Sequence, residues 1–103
     1  MKTSEVLTKA ADLLEKEGWI QGKFTKYAID PLSGNEECLG RCAVGAIYDI
    51  TCVHPLREKA KAALKQRIYY SDIPHWNDNT TRTKEEVIST FREVANVCIS
   101  QGD

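Results

Sequence analysis

Apolar residues recur at helical spacing in four stretches of the chain, and the polar positions between them fall on the opposite faces. Val6, Leu7, Ala10, Leu13 and Leu14 form the first stripe, with Lys9, Asp12, Glu15 and Lys16 facing water. Thr3 or Ser4 is placed to cap this helix, and Gly18 is placed to end it. Trp19 and Ile20 then fold back onto it. Leu56, Ala60, Ala63, Leu64 and Ile68 form a later stripe, opened by Pro55 at a first-turn position. The clearest stripe is Val87, Ile88, Phe91, Val94, Ala95, Cys98 and Ile99, and Thr83-Lys84-Glu85-Glu86 reads as the capping box that opens it.

The fourth helix is different in kind. Leu39 to Asp49 is rich in small residues, and a helix starting after Gly40 and ending near Thr51 puts Cys42, Gly45, Ala46 and Asp49 on one face. Gly45 inside a helix costs about 1 kcal/mol relative to Ala, which close approach of a neighbouring helix offsets. This segment is therefore the expected centre on which the longer helices lean.

Two stretches lack helical periodicity. In residues 22–38, Thr25, Tyr27 and Ile29 alternate with Phe24, Lys26 and Ala28 ahead of the turn signal Asp30-Pro31-Leu32-Ser33-Gly34-Asn35. A small hairpin or a structured surface loop fits. Residues 69–82 read as irregular, because Pro74 discourages helix before it and Asn77, Asp78 and Asn79 suit turns. The expected architecture is a mostly α, compact four-helix single domain spanning residues 1–103, with a short irregular or β-hairpin insertion.

Composition narrows the function classes. A net charge of -1 carries neither the basic excess of a nucleic-acid binder nor the acidity of a nucleic-acid mimic. The N-terminal run is too polar for a secretory signal, and no segment approaches the ~18 apolar residues of a membrane span. A cytoplasmic protein with its four cysteines reduced is the expectation. A homo-oligomer is compatible with the pattern.

Cys42-Ala43-Val44-Gly45-Ala46-Ile47 and Trp76-Asn77-Asp78, followed by Thr83 and Val87 on a last helix, resemble a family of small uncharacterised proteins of actinobacteria, other bacteria and bacteriophages. The resemblance runs from Trp19 through both motifs to the last helix. It implies a bacterial or phage setting and supplies no catalytic assignment.

Candidate chemistry divides into three. Cys42 in the first turn of a helix, beside Arg41, has the surroundings that favour a thiolate nucleophile, with His75 as base and Asn77 or Asp78 as its orienting group. A small thiol against a neighbouring helix is also an ordinary core residue, and that reading is preferred. Cys38 with Cys42 and Cys52 with His54 are zinc half-sites by type, but the intervening helix holds them at opposite ends, and no metal or other cofactor is expected. The loops offer a ligand set: Trp76 or Tyr70 to stack on a planar group, Arg41 or Arg82 to meet a phosphate or carboxylate, and Asn77 and Asp78 beside them. Basic residues on the 55–68 helix, Arg57 to Arg67, read as a solvated face rather than a phosphate-contacting one. The favoured function is a non-catalytic binding or interaction protein, a phage or bacterial accessory that acts on a host protein or sequesters a small nucleotide-like ligand. The rival is a hydrolase or transferase using Cys42.

Overall fold

The computed structural model describes the backbone of residues 1–23, 25–29, 31–34, 36–68 and 72–103, and their side chains except at 25–29 and 36–39. The elements are α1 (Thr3–Glu17), β1 (Thr25–Ile29), β2 (Glu36–Arg41), α2 (Ala43–Ile50), α3 (His54–Ile68), α4 (Ile73–Asn77) and α5 (Lys84–Ser100). Among the described residues there are thus five helices rather than four. The addition is α4, a single turn in the stretch expected to be irregular. Its local cause is Asp72, whose carboxylate accepts the His75 backbone N–H at 2.7 Å. Pro74 stands within the first turn, where its missing N–H has no intrahelical partner to lose.

Helices α1 and α5 make the most extensive packing in the molecule, and α2 lies against α1. Val6, Leu7, Ala10, Ala11 and Leu14 of α1 meet Val87, Phe91 and Ala95 of α5 in a core that also takes Ala43, Val44, Ala46 and Ile47 of α2. Ala60, Leu64 and Ile68 are the buried stripe of α3, with Leu56 and Ala63 only half-buried. Ile99, expected on the α5 core stripe, is instead exposed, because it lies at the stripe's edge in the last turn. Thr83 caps α5 as expected, its Oγ1 accepting the Glu86 N–H at 3.2 Å.

Neither Thr3 nor Ser4 caps α1. The helix already starts at Thr3, and both residues are buried. The Thr3 hydroxyl donates to Asp103 Oδ2 at 2.9 Å, and the Ser4 N–H donates to the Asp103 carbonyl at 3.1 Å. Acceptors from the far end of the chain thereby serve the positive end of the α1 dipole.

Strands β1 and β2 pair antiparallel, from Thr25 opposite Arg41 to Ile29 opposite Glu36, with a register shift between Lys26 and Tyr27. The hairpin reading of this insertion therefore holds for the described backbone. Strand β2 also accepts a parallel neighbour: the Arg41 N–H donates to the Gly18 carbonyl and the Ile20 N–H to the Arg41 carbonyl, both at 3.1 Å. Gly40 is required by this approach, because a Cβ there would stand 2.9 Å from Ile20 Cγ2 and 3.2 Å from the Gly18 carbonyl carbon. The same extended backbone delays α2. Cys42 is its N-cap and not a first-turn residue, and Asp49 lies on the surface instead of the close-packed face.

Candidate functional site

Asn77, at the end of α4, has no exposed surface. Its side-chain oxygen accepts the Trp19 indole N–H at 2.7 Å and the Ala43 backbone N–H at 3.0 Å. Its side-chain nitrogen donates to the Ile20 carbonyl and to Asp78 Oδ1, each at 3.0 Å. All four hydrogen-bonding positions of the amide are used. Asp78 Oδ1 also accepts the Gly22 N–H at 2.9 Å. The Gln21 side-chain nitrogen donates to the carbonyls of Asn77 and Asn79, at 3.0 and 2.7 Å. Residues 19–22, the start of α2 and the end of α4 are thus tied at one buried node.

An open cleft of about 260 Å3 lies beside this node, lined by Gly22, Lys23, Cys42, Pro74 and Asp78. A second, of about 330 Å3, is lined by His75, Asp78, Asn79 and Thr80. Asp78 contributes to both. The candidate catalytic residues are divided between them, Cys42 in the first and His75 in the second, and among the described residues no hydrogen bond joins these two. Cys42 is 3% exposed, and its sulfur accepts the Gly45 N–H at 3.3 Å as the α2 cap. Burial pushes the thiol up, the Asp78 carboxylate adds to the rise, and the backbone N–H groups of Gly45 and Val44 only partly oppose it. The thiolate expected from helix-start electrostatics is disfavoured here, because desolvation outweighs the helix terminus.

The candidate ligand residues have mixed positions. Asp78 walls the cleft with Asn77 directly behind it. Trp76 is a core anchor, 3% exposed, and the Arg82 guanidinium sits 4.7 Å from the centre of its ring. Arg82 also donates to the Trp76 carbonyl and pairs with Glu86 at 2.9 Å. Arg41 pairs with Glu17 and Asp49 and bridges α1 to α2. Tyr70 lies outside the described residues. Gly22, Lys23 and Pro74 also line the cleft, without having been singled out. No spacing rule links positions 22–23 to 78; the Asp78 to Gly22 hydrogen bond brings them together, beside the bonds of Trp19, Ile20 and Gln21 to the end of α4.

The basic face of α3 is more engaged than a solvated face would be. Arg57 donates to the Tyr48 and Thr51 carbonyls at 2.9 and 2.5 Å, its guanidinium 4.3 Å from the Tyr48 ring centre. A cation is thereby placed on the carbonyls that end α2. Lys61 donates to the Tyr48 hydroxyl at 3.2 Å, which raises its pKa, with desolvation opposing and Glu58 assisting. Among the described residues no group of three His, Cys, Asp or Glu side chains is positioned for a metal, and no helix is long and apolar enough to cross a membrane. Cys42 and Cys52 flank α2 at opposite ends, and the Cys38 side chain lies outside the described set.

A family model matches residues 1–97. The chain belongs to the family of unknown function DUF6197. The DUF6197 match takes in both loops of the node and ends inside α5, so Asp103, which closes the start of α1, lies beyond it. No curated protein and no solved structure matches the chain.

Proposed function

We propose that this DUF6197 chain is a small non-catalytic binding protein, with the cleft beside Asn77 as its ligand site. The observation that carries this reading is Asn77 itself: a fully satisfied buried amide that fixes Asp78 at the wall of an open cleft. Polar groups held in place before a ligand arrives lose little freedom when it binds, and small-molecule sites are built that way. The enzyme reading through Cys42 draws less support, because it needs a thiolate and a base, while the thiol is buried, caps a helix and is pushed up.

Within this reading the chain sequesters a small ligand, as a cytoplasmic accessory protein of a bacterium or phage. That use is favoured over capture of a host protein because the fixed acceptor stands in a concave site. A nucleotide-like ligand would bring its phosphate to Lys23, since Arg41 and Arg82 are committed to internal carboxylates. Two-dimensional NMR of the 15N-labelled chain, titrated with a panel of nucleotides and small charged metabolites, tests the proposal. At least one member should shift the Gly22, Lys23 and Asp78 amides saturably. Movement confined to other faces, or none, overturns it.

A further inference from the structure

We infer that the cleft beside Asn77 takes a small zwitterion of the α-amino-acid class, with the ligand's ammonium on Asp78 Oδ2 and its carboxylate on Lys23. The inference rests on the binding reading above and adds the ligand class. Asp78 Oδ1 is occupied by two donors, the Gly22 N–H and the Asn77 side-chain nitrogen, which fix the plane of the carboxylate. Asp78 Oδ2 makes no hydrogen bond to a described residue. An oriented carboxylate oxygen with both lone-pair directions open accepts an ammonium well, and the bond is charge-assisted.

Lys23 lines the same cleft, and it makes no hydrogen bond or ion pair with the described residues. The two opposite charges therefore share one cleft without pairing to each other. A ligand that carries both complementary charges satisfies both residues at once, whereas a simple amine or acid leaves one charge unmatched. Among the described residues, Pro74 and Cys42 add an apolar part of the wall that suits an aliphatic side chain. Gly22 adds no side chain to the wall, and no atom of the described residues beyond its chain neighbours stands within 4 Å of where its Cβ would be. At about 260 Å3 the space accommodates a compact molecule such as an amino acid.

The test titrates the 15N-labelled chain with L-valine, with isobutylamine, which lacks the carboxylate, with isovalerate, which lacks the ammonium, and with adenosine 5′-monophosphate. Valine should shift the Gly22, Lys23 and Asp78 amides at millimolar concentration, and each single-charge analogue should bind at least tenfold more weakly. Asp78→Asn keeps an oxygen for Gly22 and Asn77 but replaces Oδ2 with a donor, and should weaken valine at least tenfold. Lys23→Gln alters an exposed residue that makes no hydrogen bond or ion pair with the described residues, so it keeps the test decisive even where Asp78→Asn impairs folding; it too should weaken valine at least tenfold. Equal binding of valine and either analogue, or unchanged affinity in Lys23→Gln, overturns the assignment. Adenosine monophosphate moving these amides while valine does not removes the ligand class and leaves the binding reading standing. Silence from the whole set and from the wider panel removes both.

Discussion

The Trp19 indole N–H donates to the Asn77 side-chain oxygen at 2.7 Å, although the two residues are 58 positions apart. The same oxygen holds the Ala43 N–H at the entrance of α2. One buried amide therefore sets the relation between the segment after α1, the central helix and the α4 turn. The cleft inherits its shape from that relation.

Asn77→Ala should be among the most damaging single changes. It leaves the Ala43 N–H and the Ile20 carbonyl without their partners, and unpaired buried groups cost about 1–3 kcal/mol each, so a loss of roughly 3 kcal/mol is expected. Urea unfolding at neutral pH measures it. Asn77→Asp should also destabilise, because it removes the donor to Ile20 and sets a second carboxylate against Asp78.

Gly40→Ala should lower stability by about 1–3 kcal/mol, the usual range for overpacking, since the new methyl meets both Ile20 and the Gly18 backbone. A shortened Ile20→Val side chain should relieve only part of this loss, because the Gly18 carbonyl carbon is backbone at 3.2 Å. Comparing thermal midpoints of the single and double variants separates the two contacts.

The pH dependence of stability has a definite sign at Cys42. Burial raises the folded thiol above its unfolded value, so the folded state keeps a proton that the unfolded state loses. This contribution is fully present below the unfolded pKa of about 8.5 and is lost as pH rises through the folded value. Cys98, also raised by burial with Asp103 adding to it, acts in the same direction. Unfolding free energy should fall between neutral and alkaline pH. Cys42→Ser keeps a capping oxygen for Gly45 and should flatten that decline, which chemical denaturation at a series of pH values will measure.

Arg57→Lys should not behave as a conservative change. The guanidinium serves two carbonyls and covers Tyr48, while an ammonium lacks the planar fork. A loss of about 1–2 kcal/mol is expected, near that of Arg57→Ala, from hydrogen bonds of a charged donor. Hydrogen exchange should localise the effect to the last turn of α2.

The long helices were legible because their apolar stripes are wide and their ends carry local signals, such as Gly18 after α1 and Thr83 before α5. The small-residue helix was legible as a centre, but its first residue was not. Pairing of Arg41 with Gly18 and Ile20 keeps the chain extended two residues further than helix propensity suggests, and that contact is non-local. The α4 turn is hidden by Pro74, which disfavours helix before it, while the Asp72 cap that starts the turn shows only in the structure. Asn77 and Asp78 stood out by type, yet the reading assigned them to their own loop. Their partners, Trp19, Ile20 and Gly22, are the residues that fold back after α1. Arg41 looked available for a ligand because Glu17 and Asp49 lie far from it in sequence, whereas the Arg82–Glu86 pair has the i,i+4 spacing at the start of α5.

Both indoles of the chain belong to the same neighbourhood, Trp19 bonded to Asn77 and Trp76 stacked under Arg82. Native fluorescence is consequently a label-free gauge of this one region. Displacing the guanidinium or loosening the amide will alter the emission before the long rods of the bundle come apart.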